Sequence, residues 1–319
     1  MNKLYMGLDI GVFSVKGVII DEYDNIIASS CLNNNGNSVD ISKKVIKELL
    51  KEIDLNKYQV VAIGTTGLGR KLIGKMIDAC IIKNEIMAEA VGTLKVCPDV
   101  RTIFDIGGED EKIILLKDGV VYDYAINTSC SAEGGLFISS LAERLNIKLE
   151  DITNVVSRSK NKISIASRCR VFAETEINRK IQQGYQKEDI LAGASRMVAF
   201  NYFNNVLMGK KIVGPIVFNG GVSKNIVVVQ ELEELVHGKI IVSKNSCFMA
   251  SLGVAIMARE SNIVKKIDFS DIDNINIETK IKECGGCSNN CEIVTVYKNK
   301  KLIDTWGNKC ADSEFAKNI

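Results

Sequence analysis

DIGVFSVKGVII, residues 9–20, and DIGGEDEKIILL, residues 105–116, are two versions of one pattern. Each reads Asp-Ile-Gly, four residues, Lys, then an apolar run, and Asp9 and Asp105 lie 96 positions apart. LYMGL precedes the first copy and RTIF the second, and both are strand-like. A polar turn and another strand-like run follow each, DEYDNIIASS and KDGVVYDYA. A lone Asp-Ile-Gly could end any buried strand. Two copies in matching β-hairpin context predict a duplicated domain.

Working outward, strands alternate with helices, which predicts an α/β architecture. DISKKVIKELLKEI (40–53) has a capping aspartate and helical apolar spacing, and KEDILAGASRMVAFNYFNNVL (187–207) reads as a long helix. KYQVVAIGTTGLGRK and GPIVFNGGVSKN are strands entering glycine-rich turns. From residue 263 the pattern fades into a polar connector before a Cys-rich tail. The expected domains are 1–97, completed by a helix near 246–262; 98–245; and the connector with tail, 263–319.

Composition bounds the partners. Forty-one basic against 39 acidic residues leave a net charge of +2, with no basic footprint for nucleic acid. No apolar run approaches membrane-spanning length and MNKLYMGLDIG lacks a signal-peptide core, so a cytoplasmic location and no membrane partner are expected. The single histidine, His237, argues against Ser–His–Asp catalysis.

A glycine turn between two strands brings backbone N–H groups close to an oxyanion such as phosphate. Asp9 and Asp105 at the strand ends could hold Mg²⁺, which takes a couple of carboxylates together with phosphate oxygens. Lys16 is available to a phosphate, whereas Lys112 reads as an exposed strand residue. The bland alternative makes both aspartates turn caps. The pattern resembles the acetate and sugar kinase, chaperone ATPase and actin superfold, which implies duplicated ribonuclease-H-like (actin-like ATPase) domains with a nucleotide cleft between them, plus a small Cys-rich tail. In that superfold a third element touches the adenosine, and Phe218-Asn219-Gly220-Gly221-Val222 fits it.

Ten cysteines are many for a reducing compartment. Cys31, Cys80, Cys97 and Cys247 read as packing residues. Cys130 and Cys169 each stand before a helix-like run. Cys284, Cys287, Cys291 and Cys310 crowd the C-terminus with spacing C-x2-C-x3-C-x18-C, and EIVTVY–KNK–KLIDTW reads as a hairpin returning Cys310 to the others. Those four thiols suit Zn²⁺ or a second iron–sulfur cluster; free thiols and a disulfide remain open.

From residue 4 to about 259 the sequence resembles the ATP-dependent activators (component A) of 2-hydroxyacyl-CoA dehydratases, in the BadF/BadG/BcrA/BcrD ATPase family. The carriers are Asp9–Lys16, Asp105–Lys112, Cys130-Ser131-Ala132 with Gly135 and Phe137, Cys169–Glu176 (CRVFAETE) and Asn219–Asn225. The resemblance implies ATP/ADP contacts at Gly11, Ser14, Lys16, Gly107, Gly108, Glu109, Gly135, Gly220 and Gly221, with Asp9 and Asp105 catalytic through Mg²⁺. It also implies that Cys130 and Cys169 ligate one [4Fe–4S] cluster shared across a homodimer. Ferredoxin or flavodoxin would reduce the cluster, and ATP hydrolysis would drive one electron to an iron–sulfur partner, a dehydratase or reductase acting on a CoA thioester under anaerobic conditions. The sequence departs from the family at Val12-Phe13, at Glu109 in place of Gln, at Glu133-Gly134 in place of Gly-Thr, and at Glu89 where His is often found. A nucleotide sensor or scaffold with impaired hydrolysis, and a small-molecule kinase, are the competing readings.

Overall fold

The structure is a computed structural model that describes residues 2–127, 134–165, 169–265, 267–307 and 309. The chain divides into two compact units, Met1–Glu85 with Val254–Ile319, and Ile86–Gly253.

The first unit begins with β1 (Asn2–Ile10), β2 (Ser14–Ile20) and β3 (Ile26–Asn33), followed by α1 (Ser38–Lys51), β4 (Tyr58–Thr66), α2 (Arg70–Met76) and the short β5 (Ile81–Ile82). The strand order is β3-β2-β1-β4-β5. β1 pairs antiparallel with β2 and parallel with β4. β1 is central and buried from Leu4 to Ile10, which is why its sequence is continuously apolar up to Asp9. The Asn37 side chain accepts from Asp40 N–H to start α1, whose Val45, Ile46 and Leu49 enter the core formed with Leu4, Met6 and Leu8.

The second unit follows α3 (Glu85–Val96) with β6 (Thr102–Ile106), β7 (Glu111–Lys117) and β8 (Val120–Asn127). Four helices come next: α4 (Gly134–Arg144), α5 (Ile152–Val156), α6 (Arg170–Gln182) and α7 (Lys187–Tyr202). β9 (Ile216–Asn219), α8 (Ile226–Val236) and β10 (Ile240–Ile241) complete the run, and α9 (Met249–Glu260) carries the chain from the second unit into the first at Gly253–Val254. Its strand order, β10-β9-β6-β7-β8, repeats that of the first unit strand for strand. The helices α4 to α8 pack on that sheet through a single core that includes Phe104, Leu141, Ile177, Leu191, Tyr202 and Leu232. Asp189, buried at the start of α7, accepts hydrogen bonds from Ser159 Oγ, Lys160 N–H, Asn161 N–H and Asn161 Nδ2 and so fixes the preceding loop. Burial alone would raise its carboxyl; these donors overcome that and hold it at about 2.

Three more strands, β11 (Ile277–Glu283), β12 (Glu292–Lys298) and β13 (Lys301–Trp306), form an antiparallel sheet belonging to the first unit. Lys298 pairs with Asp78 at 3.0 Å and Asp304 with Lys75 at 3.4 Å, joining this sheet to the end of α2.

The two hairpins, the 40–53 helix and the β12–β13 hairpin form where the sequence places them. Three expectations are corrected. The segment read as a connector contains β11, an edge strand exposed along nearly its whole length and therefore without an apolar signature. The 187–207 helix is α-helical only to Tyr202 and widens to a π-helical turn at Phe203–Leu207. Cys31 is exposed on β3 rather than packed, because it falls on an outward position of an edge strand.

Candidate functional site

Each unit carries the same backbone device. Asp9 ends β1 opposite Lys16 on β2, and Asp105 ends β6 opposite Lys112 on β7. The Gly11 N–H donates to Ser14 O at 3.0 Å, and the Gly107 N–H to Asp110 O at 2.9 Å, closing equivalent turns. The parallel strand beside each aspartate ends in a polar residue, Thr66 opposite Asp9 and Asn219 opposite Asp105. Just beyond lies a glycine with positive φ, Gly67 at +82° and Gly220 at +81°. A Cβ on Gly67 would strike the Ile10 carbonyl and Asp9 Oδ1; a Cβ on Gly220 would strike the Ile106 carbonyl and Asp105 Oδ1. Glycine is therefore required twice, for conformation and for space. The sequence marks both stretches as glycine-rich turns, with Gly64–Gly69 expected near the phosphates or a domain junction, but the Gly67–Gly220 and Thr66–Asn219 equivalences did not stand out. The signal was present in TTGLG (65–69) and NGGV (219–222), but at a different offset from the hairpins.

The charges around the two devices differ. Lys16 Nζ lies 3.7 Å from Asp9 Oδ2 and is partly exposed. Lys112, expected on the surface, is 3 % exposed and lies 3.3 Å from Asp105 Oδ2 and 3.8 Å from Asp110 Oδ2. β7 is buried on both faces, and the Tyr202 hydroxyl donates to Lys112 O at 2.6 Å. Burial, then the negative Asp105 and Glu111, push the Tyr202 hydroxyl far above its usual range.

Glu111 itself was not singled out in the sequence. Its side chain is fully buried; Oε2 accepts from Asn127 Nδ2 at 3.1 Å, and Oε1 faces Gly134 with no hydrogen-bond partner among the described residues. Burial pushes its carboxyl up to about 7, partly opposed by the Asn127 bond. The start of α4 rests on the second turn: Leu136 N–H donates to Gly108 O at 3.0 Å, and a Cβ on Gly135 would collide with the Gly107 carbonyl. Gly135 thus fits as a contact surface for the turn itself. Glu109 is half-buried on that turn, Gly221 is exposed and Gly220 buried.

These features suit phosphate and Mg²⁺. The Gly11 and Gly107 N–H groups close the turns, and the lack of a Cβ at Gly11, Gly107 and Gly108 leaves the backbone of each turn open to a close approach. Asp9 and Asp105, 5 % and 6 % exposed, are carboxylates at strand ends. Thr66 Oγ1 and Asn219 Oδ1, beside them in register, are buried polar atoms without a hydrogen-bond partner among the described residues, as expected where a polar ligand completes the site. Among the described residues no three His, Cys, Asp or Glu side chains gather at metal-binding spacing. Mg²⁺ needs only one or two carboxylates beside phosphate oxygens, so the strand-end aspartate of each unit, taken by itself, is a donor of the right kind.

Cys169 is exposed at the N-cap of α6, extended in backbone, and its sulfur does not cap the helix. The residue stands at the positive end of a 13-residue helix, an environment that fits an anionic cluster. Cys130, Glu133 and Cys310 lie outside the described residues. Cys284, Cys287 and Cys291 occupy the loop between β11 and β12. No helix among the described residues is long and apolar enough to cross a membrane.

Comparison with known proteins agrees with this geometry. The (R)-2-hydroxyglutaryl-CoA dehydratase activating ATPase of Acidaminococcus fermentans is 30 % identical over 258 residues, covering 81 % of this chain and 98 % of that protein. The solved activator of the 2-hydroxyisocaproyl-CoA dehydratase from Clostridium difficile, with bound ADPNP, superimposes with a TM-score of 0.74 at 29 % identity, covering 81 % and 95 % of the two chains. A ROK family glucokinase from Streptomyces griseus shares the fold alone, at 12 % identity and a TM-score of 0.51. The pattern of the BadF/BadG/BcrA/BcrD ATPase family matches residues 6–258, and the chain, with its two actin-like sheet–helix domains, belongs to that family.

Proposed function

We propose that the protein is an ATP-driven activator that passes one low-potential electron to an iron–sulfur 2-hydroxyacyl-CoA dehydratase or a related CoA-thioester reductase. Activators of such dehydratases are among its relatives at 30 % identity, and a relative of similar structure holds ADPNP. The observation that carries the reading is the seating of α4 on the second turn through Leu136 and Gly135, because α4 starts four residues after Cys130. A phosphate arriving at or leaving Gly107–Gly108 is then felt at the segment that bears the cysteine.

In this reading Asp9 and Asp105 hold Mg²⁺ or its waters and orient the attacking water. Gly11, Ser14, Gly107, Gly108, Gly220 and Gly221 cradle phosphate and adenosine, and Lys16 neutralises phosphate charge. Lys112 instead holds Asp105 in place, since it is already paired with two carboxylates. Cys130 and Cys169 of each of two chains supply the four thiolates of a [4Fe–4S] cluster, which acts as a one-electron carrier charged by ferredoxin or flavodoxin. ATP hydrolysis shifts the equilibrium between two arrangements of the cysteine-bearing helices, and only that shift couples ATP to electron release.

A second reading, a nucleotide sensor without useful turnover, draws on Glu109, which adds a carboxylate to a turn that already holds Asp105, Asp110 and Glu111. Anaerobic purification with iron, sulfide and ATPase assays decides between them. The activator reading expects about four iron per dimer, lost on Cys130→Ala or Cys169→Ser while nucleotide binding persists. Iron-free protein that phosphorylates a small substrate overturns it. Absence of ATP hydrolysis in both the parent and Glu109→Gln proteins transfers the case to the sensor.

A further inference from the structure

After α5 the chain lies along α7, and α7 is built to receive it. Buried Asp189 accepts hydrogen bonds from Ser159, Lys160 and Asn161. One turn further on, Gly193 leaves room for Ile163: a Cβ there would stand 2.9 Å from Ile163 Cγ1 and 3.2 Å from its carbonyl oxygen. Arg196 Nη2 donates to that same carbonyl at 3.3 Å, which uses one of the donors of its guanidinium and leaves the others. The hydrogen bonds of Asp189 and Arg196 thus hold this wall in place without help from a ligand.

The wall bounds a cavity of about 600 Å³, the size of a small-molecule site. None of its lining residues is among those assigned above to nucleotide, Mg²⁺ or cluster. Ile163, Ile165 and Met197, each less than a tenth exposed, make it apolar. Three polar side chains line it as well. Arg196 of α7 and Glu231 of α8 are both half-buried, and neither has an ion-pair partner among the described residues. They share one cavity without neutralising each other. Asn201, 6 % exposed, has no hydrogen-bond partner among the described residues, a state that a buried amide seldom keeps unless something polar completes it.

We propose that this cavity binds a small zwitterion, an α-amino acid with an apolar side chain. The Arg196 guanidinium takes the carboxylate, Glu231 takes the ammonium, and the Asn201 amide adds a further hydrogen bond. Ile163, Ile165 and Met197 cover the ligand's side chain. Opposite charges left unpaired in one apolar cavity are satisfied together only by a ligand that carries both. Either charge alone would leave the other protein group desolvated and unmatched.

The test titrates the full chain, purified anaerobically, with L-leucine, L-methionine and L-phenylalanine by calorimetry. Saturable binding at a single site per chain is expected for at least one of them. The analogue of that amino acid without its ammonium, and the analogue without its carboxylate, should each bind roughly tenfold to hundredfold more weakly, since each loses a charge-assisted contact. This comparison needs no variant to fold. Glu231→Gln should weaken the amino acid over the same range and leave the ammonium-free acid unaffected, whereas Arg196→Gln should weaken both, with nucleotide binding retained in each. No binding of any of the three amino acids, equal binding of the ammonium-free acid, or binding unchanged in both variants would overturn the proposal. The activator reading fails separately, if the parent protein holds no iron that Cys130→Ala removes.

Discussion

The two Asp–Gly hairpins share a backbone and differ in almost everything hung on it. In the first unit the turn is Gly-Val-Phe-Ser, Asp9 meets a partly exposed lysine, and Val12 projects outward. In the second the turn is Gly-Gly-Glu-Asp, the lysine is buried between two carboxylates, a third carboxylate is sealed behind it, and a helix rests on the glycines. Both units keep the strand end, the glycine turn and the positive-φ glycine, the parts that would hold phosphate in the proposed reading. They differ in the side chains that decide how tightly the turn is tied to the rest of its unit. The second hairpin is the one wired into its surroundings.

Lysine replacements should break the symmetry most. Lys112→Met strands Asp105 as a buried unpaired carboxylate and should cost about 3–5 kcal/mol. Lys16→Met also leaves a buried aspartate, but it removes a lysine that is partly exposed and 3.7 Å away, so a smaller loss is expected. Denaturant unfolding of the two variants measures both, and equal losses would contradict the asymmetry. Glycine replacements should instead restore the symmetry. Gly67→Ala and Gly220→Ala each combine a left-handed backbone with overpacking against a carbonyl and an aspartate, together roughly 2–4 kcal/mol. Similar falls in melting temperature, each with loss of nucleotide binding by calorimetry, are expected.

Glu111 gives a smaller effect that depends on pH. Its folded carboxyl lies near 7, above its ordinary 4.5, so the folded state holds the proton more tightly than the unfolded state. Stability from this group is therefore full below about pH 4.5 and declines as pH rises through 7, to a penalty of at most about 3 kcal/mol. Glu111→Gln removes the ionisation, so it should stabilise the protein at pH 8 and change little at pH 4. Unfolding curves at the two values test the sign, and no counterpart of this effect is expected from the first hairpin.

What the sequence made legible follows the same division. The shared device carries its chemistry in consecutive residues, so the Asp-Ile-Gly…Lys pattern announced both hairpins and their offset of 96. The Gly67–Gly220 equivalence was hidden because the helices α4 to α7 intervene only in the second copy, stretching that offset to 153. The burial of Lys112 was not legible either. A lysine between Glu111 and Ile113 reads as an outward strand position, and only a second covering layer that includes Tyr202 makes it interior. β11 escaped notice for the opposite reason, having no covered face to impose a pattern. The helices α4 and α6 were legible as the helix-like runs that follow Cys130 and Cys169, and Cys169 stands at the N-cap of α6.

Asn127 donates to one oxygen of the Glu111 carboxyl group, and the other oxygen lies 3.2 Å from where a Cβ on Gly134 would stand. Any side chain at position 134 would press on that second oxygen, so the end of β8 and the start of α4 are both tied to one carboxyl group.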